Sequence, residues 1–161
     1  MLLALVIAAA ASGCGGGGTK APETGKLVSG PGFTFQAPNG WTITTAPHSA
    51  AATRDAITLV SVTVLPLARA YRPALFQRVA GELDRVAATL AAKLHGTVTS
   101  SRTVDLAGGS VREYEITHAQ IVDRLTFVLR GQREFQLTCR WRKQDGAPAA
   151  CNQLVSSFGF R

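Results

Sequence analysis

The raw materials of metal and cofactor chemistry are scarce in this chain, whose 161 residues include three cysteines and three histidines. His48, His95 and His118 lie far apart and never stand beside a second ligand type at helical or strand spacing, so each reads as an ordinary surface histidine. There is no phosphate loop: Gly25-Lys26 runs into Leu27, and no glycine stands five positions before Gly25. Ser110 follows Gly108-Gly109, yet Arg112 occupies the place of the glycine that a nucleophile elbow needs. The glycines of 13–18 fit a dinucleotide fingerprint in form alone, because no strand precedes them. Aromatic residues make up 7% of the chain and do not interleave with the bases, so a net charge of +7 does not point to nucleic acid. No apolar run reaches the roughly 20 residues that span a bilayer. The expectation is a non-enzymatic protein with no catalytic residues, cofactor or metal.

The longest apolar run opens the chain. Residues 2–14 read Leu-Leu-Ala-Leu-Val-Ile-Ala-Ala-Ala-Ala-Ser-Gly-Cys, and four glycines follow. The run matches the apolar core of a signal peptide, about 7–15 residues. Its end, Ala11-Ser12-Gly13-Cys14, resembles the bacterial lipobox, in which the cysteine sulfur receives a diacylglycerol and a peptidase cuts just before it. That resemblance implies a signal peptide over 1–13, Cys14 as the acylated start of the mature chain, and a place at the extracytoplasmic face of the cell membrane. An ordinary secretory signal cleaved near Ala10 and a buried N-terminal helix are the alternatives. Two or three acyl chains, at about 0.8 kcal/mol per buried CH₂, would make attachment effectively permanent. Residues 14–26 contain little to bury and read as a flexible tether, leaving 27–161 as one domain. With Cys14 lipidated, Cys139 and Cys151 remain, and an even remainder in an exported protein predicts a disulfide, two separate free thiols being the other reading.

Along the domain the hydrophobic period changes twice. Phe33 and Phe35 alternate with Thr34 and Gln36, Pro38-Asn39-Gly40 turns the chain, and Trp41-Thr42-Ile43 alternates again, giving two short strands; 57–65 gives a third. From Pro73, residues Leu75, Val79, Leu83, Val86, Leu90 and Leu94 recur at helical spacing and predict one long helix ending at Gly96. Its Arg78, Glu82, Asp84 and Arg85 fall mainly off the stripe, toward water. Strands return over 97–106 and 111–118 around the Gly108-Gly109 turn, with Tyr114 and Ile116 on one face and Glu113 and Glu115 on the other, a pair read as a solvated charged face rather than catalytic carboxylates. Residues 121–129 and 134–142 flank Gly131-Gln132. A two-residue loop there places Phe135 on Val128's side and a three-residue loop on Phe127's. Pro148 opens a closing helix through Phe158, which the disulfide would staple to the last strand. The sum is an α+β domain: an antiparallel sheet of about six to seven strands, one long helix and a closing C-terminal helix.

Phe33-Thr34-Phe35-Gln36-Ala37-Pro38-Asn39-Gly40-Trp41 resembles the opening of PsbP-like domains, and 131–141 followed by a helix finishing Ser156-Ser157-Phe158 is similar to the ending of PsbP-like and LpqN-type bacterial lipoproteins. The resemblance implies an accessory, binding or scaffold role without a catalytic constellation. The rival expectation is a carrier of a lipid or other apolar ligand in a pocket between sheet and helix. Charge adds a partner class. The 13 arginines outnumber the 4 lysines, and Arg124, Arg130, Arg140 and Arg142 could share a face of the last hairpin, where anionic lipid headgroups, a cell-wall polymer or an envelope protein would be the contact.

Overall fold

A computed structural model of the chain describes residues 25–161. The expected signal segment, Cys14 and the tether up to residue 24 lie outside the described residues.

Alternation builds the first layer. In β2 (Phe33–Ala37) Phe33, Phe35 and Ala37 are fully buried while Gln36 is exposed, the period-2 pattern of a strand with one face in the core. β2 pairs antiparallel with β1 (Lys26–Gly30) across a turn at Pro31-Gly32, where Gly32 takes φ 84°. β1 begins at Lys26, one residue before the expected boundary at 27. On its other side β2 pairs with β9 (Gly159–Phe160), so the last residues close a small three-stranded sheet.

The second sheet contains β3 (Thr42–Ala46), β4 (Ser49–Thr53), β5 (Leu59–Tyr71), β6 (Thr97–Leu106), β7 (Gly109–His118) and β8 (Ile121–Arg142) in the order β3-β4-β5-β8-β7-β6, all neighbours antiparallel. β8 is a hairpin. Stretched straight, its ends would stand about 70 Å apart, yet the Lys143 amide donates to the Gln120 carbonyl at 2.8 Å and Arg140 Nε donates to Asp123 at 2.6 Å. The arms 121–130 and 133–142 meet at Gly131, whose φ of 56° suits the first central position of a two-residue II′ turn. The first arm pairs with β7 and the second with β5. This settles the open register: Phe135 lies with Val128, both in the same buried cluster, while Phe127 belongs to the opposite one. Burial of Val122 and Val128 on one side and Leu125 and Phe127 on the other makes this arm central.

Each face of the large sheet has its own cover. The small sheet and α2 (Ala149–Ser157) pack on the face carrying Val60, Val62, Phe135, Leu137, Cys139 and Trp141. The other face takes α1 (Phe76–Lys93) over Tyr114, Ile116, Leu125 and Phe127. The contact stripe of α1 differs from the expected one: Leu83, Ala87 and Ala91 are buried with Val79 and Leu90 beside them, whereas Leu75, Val86 and Leu94 stay exposed. Small Ala87 and Ala91 let the helix axis approach the sheet. The helix stops in a Schellman arrangement, with the Gly96 amide bonded to Ala91 O at 2.8 Å, the His95 amide to Ala92 O at 3.1 Å, and His95 at φ 52°. Cys139 and Cys151 are bonded, Cα–Cα 5.4 Å, joining the second arm of β8 to the first turn of α2 as the sequence predicts.

Candidate anion-binding surface

Register decides which arginines are available. Because residues across an antiparallel hairpin share a face when directly opposite, the β8 turn sends Arg124 and Arg130 to the α2 side and Arg140 and Arg142 to the α1 side. The four arginines expected to share a face are thus split between two. Three of them are also occupied. Arg124 donates to Glu115 at 2.8 Å and to Asn152 of α2, with its guanidinium 5.5 Å from the Trp141 ring. Arg140 grips the buried Asp123, which also faces His118 at 2.9 Å, and Arg142 lies 3.5 Å from Asp55. Backbone amides of Thr58 and Ile57 hold Asp55 well below the usual carboxylate range. Arg54, Arg85, Arg102 and Arg112 are paired likewise, with Asp55, Glu82, Glu113 and Asp84.

Glu113 departs from the solvated face expected for it. It is 4% exposed, bound by Arg102 and by the Thr126 hydroxyl at 3.1 Å, and Arg124 reaches toward it while gripping Glu115. Glu113 thus lies between Arg102 and Arg124, and Glu115 is gripped, among the described residues, by Arg124 alone. On the opposite face Asp84 of α1 accepts from Arg112 and from Tyr114 Oη at 2.7 Å, which lowers its pKa; burial, reinforced by Asp84, pushes the Tyr114 phenol up to about 12.

Six arginines remain without a carboxylate among the described residues, and they collect at one end of the domain. Arg69 and Arg72 flank Tyr71, which pairs with Gly131 of the β8 turn, and Arg78 follows in the first turns of α1. Arg130 and Arg133 sit opposite one another on either side of the β8 turn. Arg161 follows β9, with its amide bonded to Gly32 O at 3.1 Å. Two carboxylates share this end: Asp105, which accepts from Ser110 at 3.2 Å, and half-buried Glu134, which has no partner among the described residues and whose pKa burial raises.

Arg130, Arg133 and Arg161 line one cleft of about 340 Å³ together with Gly32, Phe135 and Phe160. The Arg130 guanidinium lies 4.2 Å from the centroid of the Phe160 ring, and that ring is wedged edge-on against Phe135 and Phe158 at 5.3 and 5.4 Å. A cation stacked on a fixed ring keeps its hydrogen-bonding edge free and loses less motion on binding. Arg133 fits because residue 32 has no side chain: a Cβ on Gly32 would come within 2.6 Å of its Nη1. The chemistry available is oxyanion recognition by convergent guanidinium groups.

Next to this cleft the sheet opens. Pairing of β7 with β8 ends at Arg112 opposite Phe127. Beyond that point the strands part around a second cleft of about 400 Å³, walled by Leu106, Val111, Val128, Leu129, Tyr71 and Phe76 and sharing Arg130 and Phe160 with the first. The space between the middle of α1 and the sheet is filled by Leu83, Ala87 and Ala91. The remaining histidines do not converge: His48 is in the β3–β4 turn and His95 closes α1, and no group of three or more His, Cys, Asp or Glu among the described residues could hold a metal. Sequence reading singled out Arg130 but missed Arg133, Arg161, Phe160 and Gly32. A two-residue turn, once chosen, pairs Arg130 with Arg133; Arg161 needs β9, which two residues cannot announce.

No protein-family model matches the chain, and no curated protein does. Solved structures do. The solution structure of cyanobacterial PsbP (CyanoP) from Synechocystis sp. PCC 6803 aligns over 94% of this chain and 99% of that one, with TM-score 0.63 and 14% identity. A crystal structure from Bacteroides thetaiotaomicron VPI-5482 aligns over 86% of this chain with TM-score 0.60 and 14% identity, and this chain spans about half of it, 49%. The fold is PsbP-like.

Proposed function

On that fold, we propose that the chain is a non-enzymatic binding domain anchored through Cys14 at the outer face of the cytoplasmic membrane, which presents its arginine end to an anionic surface or partner there. The observation that carries the reading is the sorting of the arginines: those on the body of the domain are neutralised by carboxylates, while the six without one gather at a single end. Scattered excess charge would serve solubility; segregated charge serves recognition. The lipobox-like Ala11-Ser12-Gly13-Cys14 supports the address. Chain geometry is compatible with it. β1 carries the chain about 15 Å toward the arginine end, from Lys26 paired with Ala37 to Gly30 paired with Phe33. Residues 14–25 can extend to about 40 Å, so the arginine end can reach headgroups or turn toward wall polymer.

Two measurements test this. A fatty-acid analogue fed to cells should label the wild type and not Cys14→Ser. A soluble 25–161 domain should bind vesicles containing phosphatidylglycerol and hardly bind pure phosphatidylcholine, with binding fading as the Debye length shrinks from about 10 Å at 0.1 M salt to about 3 Å at 1 M. Gln at Arg130, Arg133 and Arg161 should weaken that binding, and Gln at Arg85 should not. Label on Cys14→Ser would end the anchor reading. Equal effects of all the replacements would reduce the recognition to net charge.

A further inference from the structure

The arginine cleft and the apolar cleft are halves of one site, and we propose that it binds a single-chain anionic amphiphile, with a carboxylate or phosphate head on Arg130, Arg133 and Arg161 and its hydrocarbon chain along the parted strands β7 and β8. The proposal rests on the binding-domain reading and names its ligand class. Its basis is adjacency: the two clefts share Arg130 and Phe160, so the stacked pair is the wall between a basic compartment and an apolar one. A ligand that fits one and then the other must carry negative charge at one end and hydrocarbon at the other.

Each compartment alone is a weaker site. Three exposed guanidinium groups attract any oxyanion and discriminate little. The apolar cleft lies against Leu106, Val111, Val128 and Phe76 without an ionic group of its own except Arg130. Joined, they hold about 340 and 400 Å³, together within the size range of small-molecule sites. The buried Phe135 and Phe158 behind Phe160 fix the wall. Arg130 is the residue through which head and chain binding are coupled.

Titration calorimetry below the critical micelle concentration distinguishes the parts, with three probes: decyl phosphate, inorganic phosphate, and decyl maltoside. Decyl phosphate should bind the domain at least tenfold more tightly than either single-feature probe. Arg133→Gln should weaken decyl phosphate and inorganic phosphate alike, about fivefold. Phe76→Gln, at the half-buried first residue of α1, should remove the advantage of decyl phosphate and leave inorganic phosphate binding unchanged. Arg85→Gln should alter nothing. Decyl phosphate no tighter than inorganic phosphate would overturn the joined site while leaving vesicle binding and Cys14 labelling, and so the binding-domain reading, intact. The source of the amphiphile is read by competition: decyl phosphate displacing the domain from phosphatidylglycerol vesicles would assign the same site to membrane lipid, and binding of free decyl phosphate without displacement would assign it to a soluble monomer.

Discussion

Breaking the Cys139–Cys151 bridge should cost the domain about 3 kcal/mol through the unfolded state alone. The bridge joins residues separated by 12 positions. Closing a loop of that size lowers the entropy of the unfolded chain by about 10 cal/mol/K, or about 3 kcal/mol at 25 °C. Replacing both cysteines by alanine adds a packing loss, because their side chains are buried, 2% and 0% exposed, between the second arm of β8 and α2; deleting two sulfur atoms from a filled core adds about 1–2 kcal/mol. The total, about 4–5 kcal/mol, is a large share of the stability of an ordinary domain. Urea unfolding followed by fluorescence reads it directly, since Trp141 is buried two residues from Cys139. The double-alanine variant should show a lower midpoint and a steeper slope, as its freed unfolded chain exposes more surface. Reduced wild type, which has no missing atoms, should lose about 3 kcal/mol and isolate the entropic part. Reduced and oxidised proteins with equal midpoints would refute the reasoning, and would mean that Leu154 and Phe158 hold α2 without the bridge.

Two further predictions concern titration. Burial raises the pKa of Glu134 above its ordinary 4.5, so folding favours the protonated form: its contribution is full below about pH 4.5 and is lost as pH rises through the folded value. Glu134→Gln should therefore raise the melting temperature at pH 7 and change nothing at pH 3.5, and a variant melting below wild type at pH 7 would contradict this. Tyr114, pushed up to about 12 from 10.0, stabilises the fold fully below pH 10 and loses that contribution as pH rises through 12; its bond to Asp84, whose pKa is lowered, is lost at the other extreme as pH falls through the depressed value. Tyr114→Phe should cost about 1–2 kcal/mol at pH 7 and abolish the highest step in the tyrosinate absorbance titration.

The class of the fold was legible because aromatic and β-branched residues carry its periodicity: Phe33 and Phe35, Val60 and Val62, and Phe135 to Trp141 alternate where their strands have one face buried. Alanine hid the rest. β4 is Ser-Ala-Ala-Ala-Thr, whose Ala50 and Ala52 are buried by neighbours rather than by a preference of their own, and the α1 contact rests on Ala87 and Ala91 where a leucine stripe attracts the eye. The candidate site was harder for a different reason. Whether an arginine is free depends on carboxylates brought beside it by strand register: Arg124 meets Glu115, nine residues away, and Arg140 meets Asp123, seventeen away. One residue of slip in the β8 turn would part Arg140 from Asp123, and one in the β7–β8 ladder would part Arg124 from Glu115, so composition gives the surplus of charge and register gives its address.

The doubling-back of β8 also fixes the order in which the chain can become a sheet. β5 finds its partner in the second arm of β8, Leu59 against Arg140 and Tyr71 against Gly131, roughly sixty to eighty residues further along. Until those residues have been made, β3, β4 and β5 form a meander with one side unpaired, a ready template for another chain. The local ladders, β6 with β7 and the two arms of β8, can close at once, since each needs a short loop and little entropy. Assembly therefore runs from the C-terminal half backward, with the β8 hairpin as the template onto which the earlier strands dock. A nascent chain stopped near residue 130 would hold α1 and the β6, β7 and first-arm strands it packs on, while β3, β4 and β5 would still lack their partner, which makes the second arm of β8, 133–142, the piece that joins the two halves into one sheet.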